Sequence, residues 1–592
     1  MNNISEAPGS AHWHSLVEAP ERIADPETMQ WDASTDLVIV GFGGAGVAAA
    51  VEAAEVGLKV IALDRSGGGG STAINGGIVY AGGGTSIQKQ AGVEDSPQAM
   101  FDYLQGAVQG VVSDATLRRF CDGSATMLDW LIAHGVKFDA TRYDSKTSYP
   151  PPGFHLYHSD SALAAARAAV ARPAPRGHKV WTPGSSRAAI GFGKAITDPL
   201  AAAAAKLGVV FQPYSEARRL IQDKSGRIVG VAVLQFDVRN PLVQKYARAQ
   251  ALATQFLLML PPAFPMAGIT RAIARFFQRK ADALESQRVL RRIRARKGVL
   301  LSAGGFVFNQ KMVVHYAPKY RHGMPLGNPY DDGSGIRLGQ SVGGAIQRLS
   351  HFSAWRFIRP PAGLTWGVVV NGRGNRFTDE TVYGAAIGYE LIEHNDGRAF
   401  CILDQDLYEE TLKQVKSKEL YSFQSDPALL ALKFARHKAV SLDALAQKVG
   451  FDPATLARTV AAYNKAAIGE LPDEFNKAAS ERRRIARAPY YAIDISVTSK
   501  LFPLPVLSLG GLVVDEETGA VCDAAGKSIP GLYAAGRNAI GVCSHLYVSG
   551  LSVADCIFSG RRAAAAVARI PGGVLLEKDI VGPFHEEWVS RK

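Results

Sequence analysis

Residues 36–64 read DLVIVGFGGAGVAAAVEAAEVGLKVIALD, and this stretch decides the fold. A short apolar run, 36–40, ends at the glycine turn GFGGAG (41–46). An Ala-rich helical segment follows, and a second apolar run, 58–63, ends at Asp64. Strand, GxGxxG, helix, strand and acid in this order are the fingerprint of a dinucleotide-binding fold. Gly41 permits the tight turn, Gly43 lets the backbone approach a pyrophosphate, and Gly46 lets the helix pack against its strand. Gly44 and Ala45 open the helix, whose free N–H groups and positive dipole end face the phosphates. Asp64 is placed to accept from ribose hydroxyls, with Arg65 beside it.

Two further stretches favour FAD over a nicotinamide dinucleotide. Residues 67–84, GGGGSTAINGGIVYAGGG, follow directly on the acid. So bare a backbone suits close approach to a large flat ring, and it places Ser71, Thr72, Gly76 and Gly77 as candidate contacts; the alternative is a flexible surface loop. Far downstream, a strand-like GLYAA (531–535) runs into Gly536 and Arg537. A Gly/Ser-rich turn then leads to a helix beginning at Ser552. A late strand–glycine–helix return to the nucleotide domain is typical of FAD enzymes.

The bulk properties fit a globular catalytic unit of more than one domain: 592 residues, 47% hydrophobic and 20% charged. No basic segment followed by an apolar one occupies residues 1–31, so no signal peptide is expected. Five scattered cysteines without CxxC spacing argue against a disulfide framework and a metal site, and for the reducing, cytoplasmic side. The net charge is +12, but residues 239–297 hold thirteen basic and two acidic side chains and so carry +11 of it. The catalytic body is near neutral, and nucleic acid is not the expected partner.

Several ordered segments resemble the fumarate reductase/succinate dehydrogenase flavoprotein superfamily. They are GFGGAG at 41–46, GGSTAINGG at 69–77, SAGGF at 302–306, GRGNRF at 372–377, and the C-terminal GLYAAGRN (531–538), SGLS (549–552) and GRRAA (560–564). Within the superfamily the chain is most similar to 3-ketosteroid dehydrogenases of the Δ4-(5α) type, with INGGIVYAGGGT (74–85) and APRGH (174–178) contributing. The resemblance implies an α/β fold: a discontinuous Rossmann-like FAD domain, 31–308 and 489–570, with an inserted α+β substrate domain, 309–488, capping the flavin. Residues 1–30 and 571–592 would be terminal extensions. Relatives that bind flavin covalently have a histidine in the segment that here reads Gly70–Ser71–Thr72, so non-covalent FAD is expected.

The same resemblance supplies a candidate catalytic set. Aligning the family's NRLGGNS-like run with LYVSGLS (546–552) puts Tyr547 where fumarate reductases have arginine, which suits a ketone better than a dicarboxylate. The second family tyrosine, in a GGF-x-x-N-x-x-M-x-x-x-Y run, falls on Tyr316. Tyr547 as base with Ser549 in a relay and Tyr316 assisting is the favoured assignment, and the reverse split of the tyrosines is the alternative. Related Δ1 enzymes have YPGAG, whose second glycine offers its N–H to the keto oxygen; this chain has Leu551 there. The implied reaction is introduction of a C4–C5 double bond into a 5α-3-ketosteroid, with electrons passed on to an unidentified acceptor. The alternatives are Δ1 dehydrogenation, a fumarate-reductase-like reductase, and an FAD electron-transfer component without a steroid site.

One segment lies outside the resemblance. A strand at 228–236 should turn directly into a strand at 298–303, yet residues 237–297 intervene. No charge occurs from 249 to 270, and Phe256, Leu257, Leu258, Met259, Leu260 and Phe264 are strongly apolar; Pro261, Pro262 and Pro265 interrupt any spanning helix. Ile269, Ile273, Phe276 and Phe277 then alternate with Arg271, Arg275 and Arg279, the composition of an interfacial helix. A peripheral, monotopic anchor at 239–297 on an anionic membrane surface is expected, with a helical excursion or dimer interface as the alternative. Replacing the segment by a short turn should leave the sheet intact.

Overall fold

The computed structural model describes residues 17–183, 191–237, 240–259, 266–417 and 419–571. At its centre is a nine-stranded sheet. Ala33–Val40, Val60–Leu63 and Val210–Gln212 run parallel, and the buried helix Gly44–Glu55 crosses from the first to the second. The glycines of the turn divide by cause. A Cβ on Gly46 would lie 1.9 Å from Gly41 O, and one on Gly560, in the helix Leu551–Ala568, 2.3 Å from Ala45 O. Those glycines are demanded by the protein's own packing. Gly43 is not: its φ of −85° is ordinary, and its Cβ would meet nothing nearer than 3.7 Å.

The long strand Val289–Leu301 organises the other half of the sheet. Its first part pairs antiparallel with Ile228–Gln235, its end pairs parallel with Ser528–Ala534, and its other edge pairs parallel with Ala33–Val40. The sheet therefore reclaims nine residues, 289–297, from the segment expected to form the anchor. Their charges are engaged within the protein. Arg291 pairs with Asp32 (2.8 Å), Arg292 with Glu21 (3.0 Å) and Arg294 with Glu27, while Arg288 pairs with Glu216 (2.9 Å). Much of the local +11 is thus matched by acids distant in sequence. The described part of the N-terminal extension is woven in as well, Glu21–Ile23 adding an edge strand beside Glu216–Asp223.

What protrudes from the sheet is a hairpin of two helices, Leu242–Met259 and Ala267–Glu285. Ala267, Thr270, Ala274 and Ala281 face its interior, and Phe256 stacks on Phe277 at 6.1 Å. The expected apolar stripe is thereby split: Phe277 turns inward, whereas Ile269 and Phe276 stay exposed. Pro261, Pro262, Phe264 and Pro265 lie outside the described residues. No described helix is long and apolar enough to cross a membrane.

The cap is built on a four-stranded antiparallel sheet in the order Val368–Asn371, Ala399–Leu403, Tyr490–Asp494, Arg436–Ala439. Tyr490–Asp494 belongs to this sheet, so the return to the FAD domain comes after it and not at residue 489 as the sequence implied. Helices including Gly384–Glu393 and Pro453–Ala467 cover the cap. A small sheet of Met324–Pro325, Pro505–Ser508 and Phe352–Ala354 ties the cap to the cleft below.

Because 289–297 occupies the middle of the main sheet, excising 239–297 is expected to abolish soluble, cooperatively melting protein. Thermal unfolding followed by circular dichroism checks this, and a well-folded deletion variant would refute the strand assignment.

Candidate active site

One long cleft runs between the glycine turn and the cap and encloses about 1290 Å³ of empty space, open solvent at its mouth included. Gly41, Gly43, Gly44, Ala45, Asp64, Arg65, Ser71, Thr72, Gly536, Arg537 and Ser552 all line it. Gly46, Gly76 and Gly77 do not. Gly46 is pressed into its own turn, Gly76 offers its carbonyl to the Tyr149 hydroxyl (2.7 Å), and Gly77 packs on Val180 and Phe192. The last two, expected as cofactor contacts, stand outside the residues that line the cleft.

The polar groups facing the cleft suit an anionic, ribose-bearing dinucleotide. The helix Gly44–Glu55 points its N-terminus at the cleft. Asp64 accepts from Phe42 N (2.8 Å) and from Ser66 N (2.8 Å) and Oγ (2.7 Å), which fixes its carboxylate at the end of the turn. A carboxylate has about four acceptor sites, so capacity remains for a ribose hydroxyl. Arg537 pairs with Asp331 in a buried contact, and Asp331 also accepts from Ser71 Oγ (2.6 Å). The second arm of the Arg537 guanidinium, Nη1, is buried without a partner. Such a donor is costly unless something in the cleft accepts from it. An orphaned donor and an unoccupied Cβ direction at Gly43 fit a bound dinucleotide. At position 71 stands a serine already committed to Asp331, in keeping with a cofactor held without a covalent bond.

At the far end the lining turns apolar and aromatic. Tyr547, Trp355, Leu507 and Leu326 line this end. They join Tyr383, Phe357, Leu509 and Ala385 in one buried cluster. Tyr547 and Trp355 lie 5.0 Å apart between ring centres. Ser549 Oγ stands 3.3 Å from the Tyr157 hydroxyl, and Tyr383 packs in the buried cluster that holds Tyr547. The segment is held rigidly: Ser549 N donates to Ser159 O (3.2 Å) and Ser159 Oγ to Ser549 O (3.1 Å). Gly550, at φ +86°, could not carry a Cβ without striking Tyr80 N.

Tyr316 is not there. It ends the helix Gln310–Tyr316 and packs against Phe306 at 6.2 Å, in the core beneath the cap. The tyrosine that meets Tyr547 and Ser549 is Tyr383, which sequence reasoning missed together with Tyr157 and Trp355. A signal existed, because Tyr383 follows shortly after the GRGNRF run at 372–377. There Arg376 bonds Glu380 (2.8 Å) and Asp473 (2.7 Å), and Lys477 pairs with Glu380 (3.0 Å), all buried. This network fixes the turn through Thr381, and Ser161 Oγ then accepts from Tyr383 N (2.8 Å).

Burial pushes the Tyr547 phenol well above its ordinary range, and the Gly550 N–H works against that shift. Tyr383 is pushed up as well, by burial and then by Tyr547 and Tyr157, with Ser549 opposing. Tyr157 is raised by burial too. All three are protonated at neutral pH, so each hydroxyl can donate a hydrogen bond and none is a standing phenolate.

The chain matches the model of the FAD binding domain family over residues 36–550. It is 38% identical over 521 residues to a protein named 3-oxo-5-alpha-steroid 4-dehydrogenase from Comamonas testosteroni, covering 87% of this chain and 94% of that one. A 3-oxosteroid 1-dehydrogenase of Mycobacterium tuberculosis is 24% identical, covering 86% of this chain and 94% of that protein. Among solved structures, the 3-ketosteroid-Δ4-(5α)-dehydrogenase from Rhodococcus jostii RHA1 in complex with 4-androstene-3,17-dione superposes with a TM-score of 0.77 at 29% identity. That match covers 93% of this chain and all of that one.

Gly43→Val is expected to fold yet lose flavin, because its side chain would project only into the cleft, whereas Gly46→Val should not fold at all. Visible flavin absorbance and a melting curve on each purified variant check both. A flavin-replete Gly43→Val protein would move the pyrophosphate elsewhere.

Proposed function

The chain belongs to the FAD binding domain family, and on that premise we propose that it is a 3-ketosteroid dehydrogenase introducing a C4–C5 double bond into 5α-3-ketosteroids. The observation that carries this reading is the end of the cleft, an apolar slot of Trp355, Leu326, Leu507 and Tyr547, with Tyr383 packed in the same buried cluster and Ser549 two residues beyond Tyr547. A flat, apolar ligand with one carbonyl matches that division, and a small dicarboxylate does not. The names of the relatives point the same way.

FAD supplies the hydride acceptor of such an oxidation when bound. The protein's own groups handle the carbonyl and the proton. A hydroxyl donated to the 3-keto oxygen acidifies the neighbouring C–H bond, as in general acid catalysis. Tyr547, whose developing negative charge the neighbouring Gly550 N–H favours, is the phenol best supported as base; protonated at rest, it takes the substrate proton only as its own proton leaves for a neighbouring hydroxyl or water. Ser549, two residues beyond Tyr547 and 3.3 Å from the Tyr157 hydroxyl, is the group we assign to pass the proton on. Tyr383 takes the assisting place that the sequence assigned to Tyr316.

Regiochemistry is supported by one backbone contact. Leu551 N–H, at the position where Δ1 enzymes use a glycine amide to hold the keto oxygen, donates to Val548 O at 3.1 Å. That amide is occupied, which favours the 4,5 bond. An electron-transfer protein without a substrate would have no use for three converging hydroxyls behind an apolar slot.

The proposal extends to a peripheral site on an anionic membrane surface, on the cytoplasmic side. Support comes from the hairpin, where Met266 (67% exposed), Ile269 (56%) and Phe276 (52%) stand in water on the same helix as exposed Arg275, Arg279 and Lys280. Apolar side chains flanked by cations suit the boundary between acyl chains and anionic headgroups.

Tyr547→Phe and Tyr383→Phe should each keep FAD and lower turnover of a 5α-3-ketosteroid by about 10²–10⁴-fold, the range for a lost acid or base. Tyr316→Phe should leave turnover nearly unchanged. Steady-state kinetics on purified holoenzymes decide this, and equal losses in all three variants would remove the Tyr383 assignment. In flotation with anionic vesicles, Ile269→Glu/Phe276→Glu should stay at the bottom of the gradient while the parent rises. A parent that never floats ends the membrane reading.

A further inference from the structure

The hairpin is joined to the sheet by more than its two ends. At its base, Tyr246 packs 4.9 Å from Phe236 and 5.8 Å from Tyr214, with Ala249 and Ala281 completing a small buried cluster. Tyr214 in turn lies beside Gly67, in the loop that follows Asp64. The hairpin therefore rests on the elements that carry the ribose-binding end of the cleft.

A line of alternating charges makes the connection directional. Glu285, which closes the second helix, accepts from the Tyr246 hydroxyl (3.0 Å) and pairs with Arg288 (2.8 Å). Arg288 reaches Glu216 (2.9 Å), whose other oxygen is 3.8 Å from Arg65 Nε. Arg65 Nη1 pairs with Asp332 (2.7 Å), and its guanidinium lies over the Tyr330 ring at 4.9 Å. Arg65, Glu216 and Tyr330 line the cleft, whereas Arg288 and Glu285 do not. With the pyrophosphate at Gly43–Ala45 and the aromatic slot at Tyr547, the Asp64–Arg65–Glu216 corner is left for the adenosine.

The side chains of Arg288 and Glu216 are only 3% and 6% exposed, so each buried charge is compensated by its neighbours in this line, with Arg288 the cation nearest to Glu216. Removing one member of a buried pair leaves an uncompensated charge, and the remaining members rearrange to meet it. Without Arg288, the nearest cation to Glu216 is Arg65, and drawing Arg65 across pulls it from Asp332 and from its place over Tyr330.

We infer that the inserted hairpin is a structural part of the cofactor site: Glu285 and Arg288 are positioning residues that set Glu216 and Arg65 as the outer wall of the adenosine end. The insertion thereby governs how tightly FAD is held. The inference rests on FAD binding and is independent of both the steroid substrate and membrane attachment.

The test is FAD titration of the full-length apoprotein, followed by flavin fluorescence, which reads affinity whether or not any steroid is turned over. Arg288→Met should weaken FAD on the order of tenfold or more, and Arg288→Lys should recover part of the loss. Glu216→Gln combined with Arg288→Met should weaken binding by less than the product of the two single effects, as for residues in one network. Arg291→Met breaks an ion pair with Asp32 on the strand that follows Arg288, away from the cleft lining, and should leave FAD affinity as it was. Should Arg288→Met fail to fold, Glu285→Gln, at a part-exposed carboxylate, reads the same quantity through a milder change. FAD affinities of Arg288→Met and Glu285→Gln within about twofold of the parent would overturn the inference, as would an equal loss in Arg291→Met.

Discussion

Everything in the cofactor half of the molecule depends on backbone crowding at a single turn. Helix Gly44–Glu55 must start so close to the strand before it that residue 46 has no space for a side chain, and helix Leu551–Ala568 must press on its opposite side at Gly560. That closeness directs the N-terminal N–H groups of one helix into the cleft. It also lets a segment from the far end of the chain, Gly536–Arg537, become part of the same wall. The buried Arg537–Asp331–Ser71 cluster then fills the angle between them.

The opposite end of the cleft follows a different logic. Its hydroxyls are carried by a rigid turn, 547–550, locked to Ser159, and by Tyr383, which the Arg376–Glu380–Asp473–Lys477 network of the cap holds in place. The cap and the turn at 547–550 thus each contribute side chains to one buried cluster, Tyr383 from the one and Tyr547 from the other. Burial keeps the phenols protonated, and the Gly550 amide is the neighbour that works against this at Tyr547.

How much of this was legible in the sequence depended on the range of the interactions involved. The 36–64 fingerprint is local, and the strands, helix and cleft-lining residues it announced are where it placed them. Tyr547 and Ser549 were found because they sit in a short run with a family register. Tyr316 was misplaced because a tyrosine at the end of an amphipathic helix looks the same whether it faces core or cleft, and Tyr383 is delivered to the site by cap contacts that no local pattern contains. The 239–297 segment misled in a similar way. Its arginines form a basic run on paper, yet Arg291, Arg292 and Arg294 meet acids of the N-terminal segment only once the sheet has assembled. Charge counts along a chain cannot register such partners.

The strand Val289–Leu301 has a consequence for the order in which the molecule is made. Its last residues pair with Ser528–Ala534, and Arg537, Tyr547 and Ser552 follow directly on that strand. During synthesis on the ribosome, the glycine turn, the hairpin and the whole cap are therefore already outside the exit tunnel before the final strand can close the sheet. Until then the pyrophosphate end of the cleft exists without its arginine, and the aromatic slot without its tyrosine. The two ends of the cleft are completed in one late step, so a chain that ends before Gly536 has neither end whole.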